Sequence, residues 1–148
     1  ILILRVCTII IISSLVMNKA ELSIPSEIGN IIKVENFIES FTETFNLQPE
    51  LFGKISLSVI EAVNNAILSG NKLSADKLVT LEAWMDPEKF YVSVADEGEG
   101  FDYTHIPDPT LPDNLTKDAG RGLYLMKTLT DELVFENDGS KVTLVFNL

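Results

Sequence analysis

Glu61 and Asn65 lie four residues apart in the stretch Glu61-Ala62-Val63-Asn64-Asn65, within an apolar repeat of helical period. Four-residue spacing stacks two side chains on one helical face. A carboxamide oxygen in that position is a hard, neutral ligand suited to Mg²⁺, and a carboxylate beside it can accept a proton from an attacking hydroxyl. Downstream, Asp96-Glu97-Gly98-Glu99-Gly100-Phe101 follows directly on an apolar, strand-like run ending at Ala95. A carboxylate at a strand end can accept a hydrogen bond from the exocyclic amino group of adenine. Gly98 and Gly100 let the chain turn and let a planar ring approach the backbone. A third segment, Gly120-Arg121-Gly122-Leu123-Tyr124-Leu125-Met126, opens another helical pattern. Amides at a helix start point outward and the helix dipole favours anions there. Arg121 adds a guanidinium able to hold phosphate bidentately. Taken singly, each segment has an ordinary explanation: a helix end, an acidic turn, a glycine hinge. Neither a P-loop nor a dinucleotide fingerprint is present. Taken together, the three read as an ATP site.

The elements that must position these residues follow from periodicity. Glu21-Leu22-Ser23-Ile24-Pro25 alternates polar and apolar, which predicts a short first strand. Ser26 is a plausible N-cap for an amphipathic helix from Glu27 to about Phe45. Pro49 suits the first turn of a second helix, which carries Glu61 and Asn65 and stops near Gly70-Asn71. Lys77 to Met85 and Phe90 to Ala95 form a predicted hairpin about Asp86-Pro87-Glu88-Lys89. Residues 102–119 are polar, carry Pro107, Pro109 and Pro112, and read as a long loop of functional or disordered type. Gly122 to Thr130 is a short predicted helix. Leu133 to Phe135 and Lys141 to Phe146 form a last hairpin about Asn137-Asp138-Gly139. Strands that cluster in hairpins predict an α+β, two-layer sandwich, with helices on one face of a mostly antiparallel mixed sheet.

Composition narrows the function classes. The chain of 148 residues is long enough for one domain with a real core. Its net charge of −11 disfavours non-specific nucleic-acid binding. With Cys7 the only cysteine and His105 the only histidine, a disulfide framework, a zinc site and Ser-His-Asp hydrolysis all lack residues; a reducing, cytoplasmic setting fits. His105 reads as a solvent-exposed loop residue. Ile1 to Val16 is apolar and β-branched, yet short of the ~20 residues of a membrane span and interrupted by Arg5. The preferred reading is an N-terminal extension, 1–16, outside a core of 17–148 that starts at Met17. An added edge or self-association strand, or a membrane anchor, are the alternatives; no membrane association is expected.

The order and spacing of the three segments resemble the Bergerat-fold ATPases, which include gyrase and histidine kinases. The finer text, Glu61 to Ile67, Gly70-Asn71-Lys72, Asp96 to Asp102, Pro109, Leu115, Gly120 to Met126 and Asp131-Glu132, resembles the anti-sigma-factor serine/threonine kinases over about Leu22 to Leu148. The resemblance implies that Asn65 holds Mg²⁺ and that Glu61 is the general base. It implies that Asp96 reads adenine while Gly98 and Gly100 shape the pocket. It further implies that residues from about Tyr103 to Ala119 form an ATP lid, and that Gly120, Arg121, Gly122 and Leu123 bind the nucleotide. Lys72 or Lys117 is a candidate extra cation. The implied cofactors are ATP and Mg²⁺. The implied partners are a sigma factor, an antagonist protein that is phosphorylated, and a second copy of the chain. The apolar first helix is a candidate dimer face and is equally explained as core. One departure is Ser69, where this family often has histidine. The alternative function is a nucleotide-sensing binding module without phosphotransfer; retention of both Glu61 and Asn65 argues against it. A fragment of a histidine–aspartate relay finds no phosphoacceptor segment to support it.

Overall fold

The computed structural model describes residues 19–103 and 121–148. The extension 1–16, the stretch 104–120 and, within it, Gly120, His105 and Lys117 lie outside the described residues. Strand β1 is Lys19–Pro25 and helix α1 is Ile31–Thr44, entered through a 3-10 turn, Ile28–Asn30. Helix α2 is Pro49–Asn65, and a π turn, Ala66–Gly70, continues it. Strands β2 (Leu78–Met85) and β3 (Lys89–Ala95) form the first hairpin. Helix α3 (Arg121–Leu129) precedes the last hairpin, β4 (Glu132–Glu136) and β5 (Lys141–Asn147). The sheet order is β1-β2-β3-β5-β4, and all four pairings among the described strands are antiparallel. The α+β reading therefore holds, with antiparallel ladders throughout the described sheet.

Alternation along the strands decides the layers. Leu22, Ile24, Leu81, Val92 and Leu144 are buried on the face that meets the helices. Lys19 and Glu82 face the other side, where their side chains pair at 3.0 Å. The core is rich in phenylalanine: Phe41 lies 5.2 Å from both Phe37 and Phe90, ring centre to ring centre. Each such fully buried ring contributes on the order of 1.5–3 kcal/mol. Val34, Phe37, Ile38 and Phe41 of α1 are inside, whereas Ile28 and Ile32 at its entry are exposed. The segment Pro49–Gly70 is long and apolar enough to cross a membrane by length and composition. Here its buried residues Ile55, Val59, Ala62 and Val63 pack into the core, as a central helix does.

Ser26 departs from its predicted role. It makes no cap: Glu27 holds the N-cap position of the 3-10 turn. Ser26 is fully buried instead, its Oγ donating to the Lys77 carbonyl at 2.7 Å. A serine before a helical pattern signals a cap, but the cross-chain partner was out of sight in the sequence. Register then sets which end of the molecule matters. Pro25 pairs with Leu78, Thr80 with Ala95, and Ala95 with Lys141. The end of β1, the start of β2, the end of β3 and the start of β5 therefore share one edge. The C-terminus of α2 reaches the same edge.

Candidate functional site

Helix α2 delivers Glu61 and Asn65, both half-buried, to its last turn. Among the described residues, neither side chain is engaged in a hydrogen bond or ion pair. Helix α3 starts directly against them. A Cβ built on Gly122 would stand 2.7 Å from Glu61 Oε2 and 3.3 Å from Asn65 Nδ2, so a side chain there would push the Glu61 carboxylate aside. Packing of α3 on α2 thus brings Glu61, Asn65 and Gly122 together, although 57 residues separate the last two in sequence order.

The π turn carries the chain from Asn65 around to Gly70. π turns are rare and tend to occur at functional sites. Any side chain at Gly70 would overlap the Asp96 carboxylate, and one at Gly98 would overlap the Gly70 carbonyl. Asp96 is therefore pressed to the end of α2. Its backbone N–H donates to the Ser140 carbonyl at 2.8 Å, continuing the β3–β5 edge, and the Gly98 N–H donates to its Oδ1 at 2.7 Å. Burial pushes the Asp96 carboxyl above the ordinary aspartate range, against the pull of the Gly98 amide and the Lys77 charge. A raised value marks a carboxylate short of donors for its depth.

A cavity of about 470 Å³ opens between these elements. Asn65, Asp96, Gly100 and Leu123 line it, together with Ala62, Ser69, Gly70 and Met126. Its far wall holds Phe101 and Phe135, whose rings meet edge to face at 5.8 Å. A lining that is mainly apolar and carries the Asp96 carboxylate and the Asn65 carboxamide suits a flat heteroaromatic ring with a polar tail. Glu61, Gly98, Arg121 and Gly122 do not line this cavity: Gly98 supports Asp96 from behind, Glu61 stands by Gly122, and Arg121 is exposed at the first residue of α3. Lys72 is exposed, with φ +52°. Of the proposed lid only Tyr103 is described; it stacks on Phe135 at 4.5 Å. A second cavity of about 420 Å³, bounded by Phe45, Leu51, Met85 and Leu148, lies at the opposite end of the sheet and touches none of the three segments.

The Asn65 carboxamide, with the Glu61 carboxylate near it at Gly122, could offer hard oxygen to a divalent cation. No group of three His, Cys, Asp or Glu among the described residues could cage a metal. That donor set fits Mg²⁺ brought in with phosphates, which takes one or two protein ligands and substrate oxygens. Ser69, Gly70 and Phe135 were not legible as lining residues. Ala62 and Ser69, three residues before and four after Asn65, each about one turn away, were the available signal for the α2 wall.

Three comparisons with known proteins agree with this geometry. The family model described as the histidine kinase-like ATPase domain matches residues 24–146. An anti-sigma F factor of Thermoanaerobacter sp. (strain X514) is 31% identical over 132 residues, covering 86% of this chain and 90% of that protein. The serine-protein kinase RsbW of Bacillus subtilis (strain 168) is 33% identical over 91 residues, 56% of each chain. A crystal structure of the RsbU and RsbW domains of a Mycobacterium tuberculosis protein superposes with a TM-score of 0.56 at 15% identity. It covers 87% of this chain and 31% of that one, a likeness of fold.

Proposed function

Because the chain belongs to the histidine kinase-like ATPase domain family, and within it to the anti-sigma kinases, we propose that it binds Mg–ATP and phosphorylates a serine or threonine of an antagonist protein. In the same reading it is a cytoplasmic, dimeric regulator that also binds a sigma factor. The observation that carries the nucleotide reading is the single cavity shared by Asn65 of α2, Asp96 at the end of β3 and Leu123 of α3. Asp96 would accept from the adenine amino group, with Gly100 giving the ring room. Arg121, Gly122 and Gly120 would meet phosphate oxygens, and Asn65 would hold Mg²⁺. The metal, when bound, would neutralise charge on the phosphates.

Little covalent work then falls to the chain, as is usual in phosphoryl transfer. Glu61 would accept the proton of the incoming hydroxyl. The hydroxyl oxygen forms its bond to the γ-phosphorus, the bond to the β–γ bridging oxygen breaks, and ADP leaves. The position of Glu61 beside Asn65 and at the glycine start of α3 supports that role, since the transferring group would lie close to both. The experiment is a pull-down with ATP and with ADP, with mass spectrometry for partners and phosphoserine, followed by phosphotransfer to the partner found. Glu61→Ala should retain ATP binding and lose about a hundredfold or more in phosphotransfer. Transfer at the wild-type rate would remove Glu61 from the role of base.

A further inference from the structure

Asp96, one residue past β3, is still held from the β5 side, its N–H on the Ser140 carbonyl, and the loop beyond has a tie of its own. The next residue supplies the link. The Glu97 N–H donates to Asn71 Oδ1 at 2.8 Å, and Asn71 is only 1% exposed. The Asn71 amide nitrogen donates in turn to Ser26 Oγ at 2.8 Å and to the Leu78 carbonyl at 3.0 Å. Its backbone N–H donates to the Ala66 carbonyl at 2.8 Å, closing the π turn. The Glu97 carboxylate accepts from the Leu78 N–H at 2.6 Å, a second tie between the same two segments. One residue therefore joins the end of β1, the start of β2 and the loop after β3 through its side chain, and the end of α2 through its backbone. It does so without lining the cavity itself.

Granted the nucleotide reading above, we propose that Asn71 is a positioning residue for base selection: through the Glu97 amide it holds the Asp96 carboxylate where an adenine amino group meets it. Hydrogen bonds weaken steeply with misalignment. Gly70 and Gly98 leave Asp96 almost no tolerance on the α2 side, since any Cβ there would collide. If the Glu97 amide is released, the loop that carries the Gly98 donor to Asp96 Oδ1 loosens, and the carboxylate loses its alignment with the base. A guanine, which offers a carbonyl where adenine offers an amino group, gains nothing from a well-placed carboxylate and loses nothing when it moves. Selection for adenine over guanine is thus the property that depends on Asn71.

The test is calorimetric titration of the full chain with Mg–ATP and with Mg–GTP, below the melting temperature of every variant. Asn71→Ala should weaken ATP about tenfold and leave GTP nearly unchanged, so the ATP:GTP ratio collapses by the same factor. Asn71→Asp keeps an acceptor for the Glu97 amide and gives up the amide donors. It should melt lower than wild type yet retain the preference for ATP, which separates positioning from stability. Ser26→Ala, which removes one partner of Asn71 and leaves the side chain in place, should shift the ratio about threefold. It decides the matter where Asn71→Ala does not fold. A ratio within twofold of wild type in folded Asn71→Ala, or failing that in Ser26→Ala, overturns the proposal. A wild-type chain that binds neither nucleotide defeats the functional reading as well. A selective wild type with unaltered variants defeats the positioning role alone.

Discussion

Strand β3 has an aspartate on either side of it, and the two are held in opposite ways. Asp86, in the turn before the strand, is exposed and surrounded by donors: the Glu88 and Lys89 amides at 2.8 and 2.7 Å and the Tyr91 hydroxyl at 2.9 Å. Those hydrogen bonds hold its carboxyl below the ordinary aspartate range and push the Tyr91 phenol up. Asp96, just past the strand, is partly buried, has the Gly98 amide as its side-chain donor, and is pushed up by burial. The first carboxylate is finished by its own turn. The second stands at a cavity wall with acceptor capacity left over. On the two sides of one short strand the same residue type serves a turn and, in the proposed function, a ligand, and the donor supply tells them apart.

The largest effect expected from this contrast is on nucleotide affinity. Asp96→Asn should weaken Mg–ATP binding about tenfold to a hundredfold, the worth of a hydrogen bond to a charged acceptor, and should erode the preference for adenine. Asp86→Asn should leave both unchanged. Equal losses in the two variants, read by calorimetry, would mean that Asp96 acts only through stability.

Next in size is Gly70→Ala, which places a methyl group against the Asp96 carboxylate and forces it to move. ATP affinity should fall about tenfold, while Gly53→Ala, on open α2 surface with nothing near its Cβ, should not alter it. Smaller again is the pH dependence. ATP binding should weaken as pH falls into the acid range above the ordinary aspartate value, because the raised Asp96 protonates there and becomes a weaker, neutral acceptor. In Asp96→Asn that dependence should vanish.

The smallest effects are on melting, and they carry opposite signs. The raised Asp96 adds stability only below the unfolded value, and that contribution is lost as pH rises through the folded value. Asp96→Asn should therefore melt slightly higher than wild type at neutral pH without nucleotide. The lowered Asp86 adds stability above the unfolded value, lost as pH falls through the folded one. Asp86→Asn should melt slightly lower at neutral pH, with the gap closing in acid. Melting shifts of the same sign in the two variants would break the contrast.

Much of this was legible in the sequence, and the limit has a physical origin. The hairpins, the start of α2 at Pro49 and the three chemical segments follow from short-range rules of period, turn chemistry and capping. What brings the segments together does not. Asn71 reads locally as a helix stop, yet its partners Ser26 and Glu97 lie 45 and 26 residues away. Ser26 reads locally as a cap and is instead buried beneath the start of β2. Gly70 reads as a helix stop and Gly122 as a hinge, and the packing of Asp96 and Glu61 against them appears only in the fold. Polar residues that bond across the fold leave no periodic trace.

The most direct measurement is a crystal structure of the chain with Mg²⁺ and a non-hydrolysable ATP analogue. The account predicts the adenine amino group on the Asp96 carboxylate, the metal on Asn65 Oδ1 and the phosphates at the start of α3. A nucleotide seated instead in the cavity between Phe45 and Leu148, or one whose base turns away from Asp96, would contradict it.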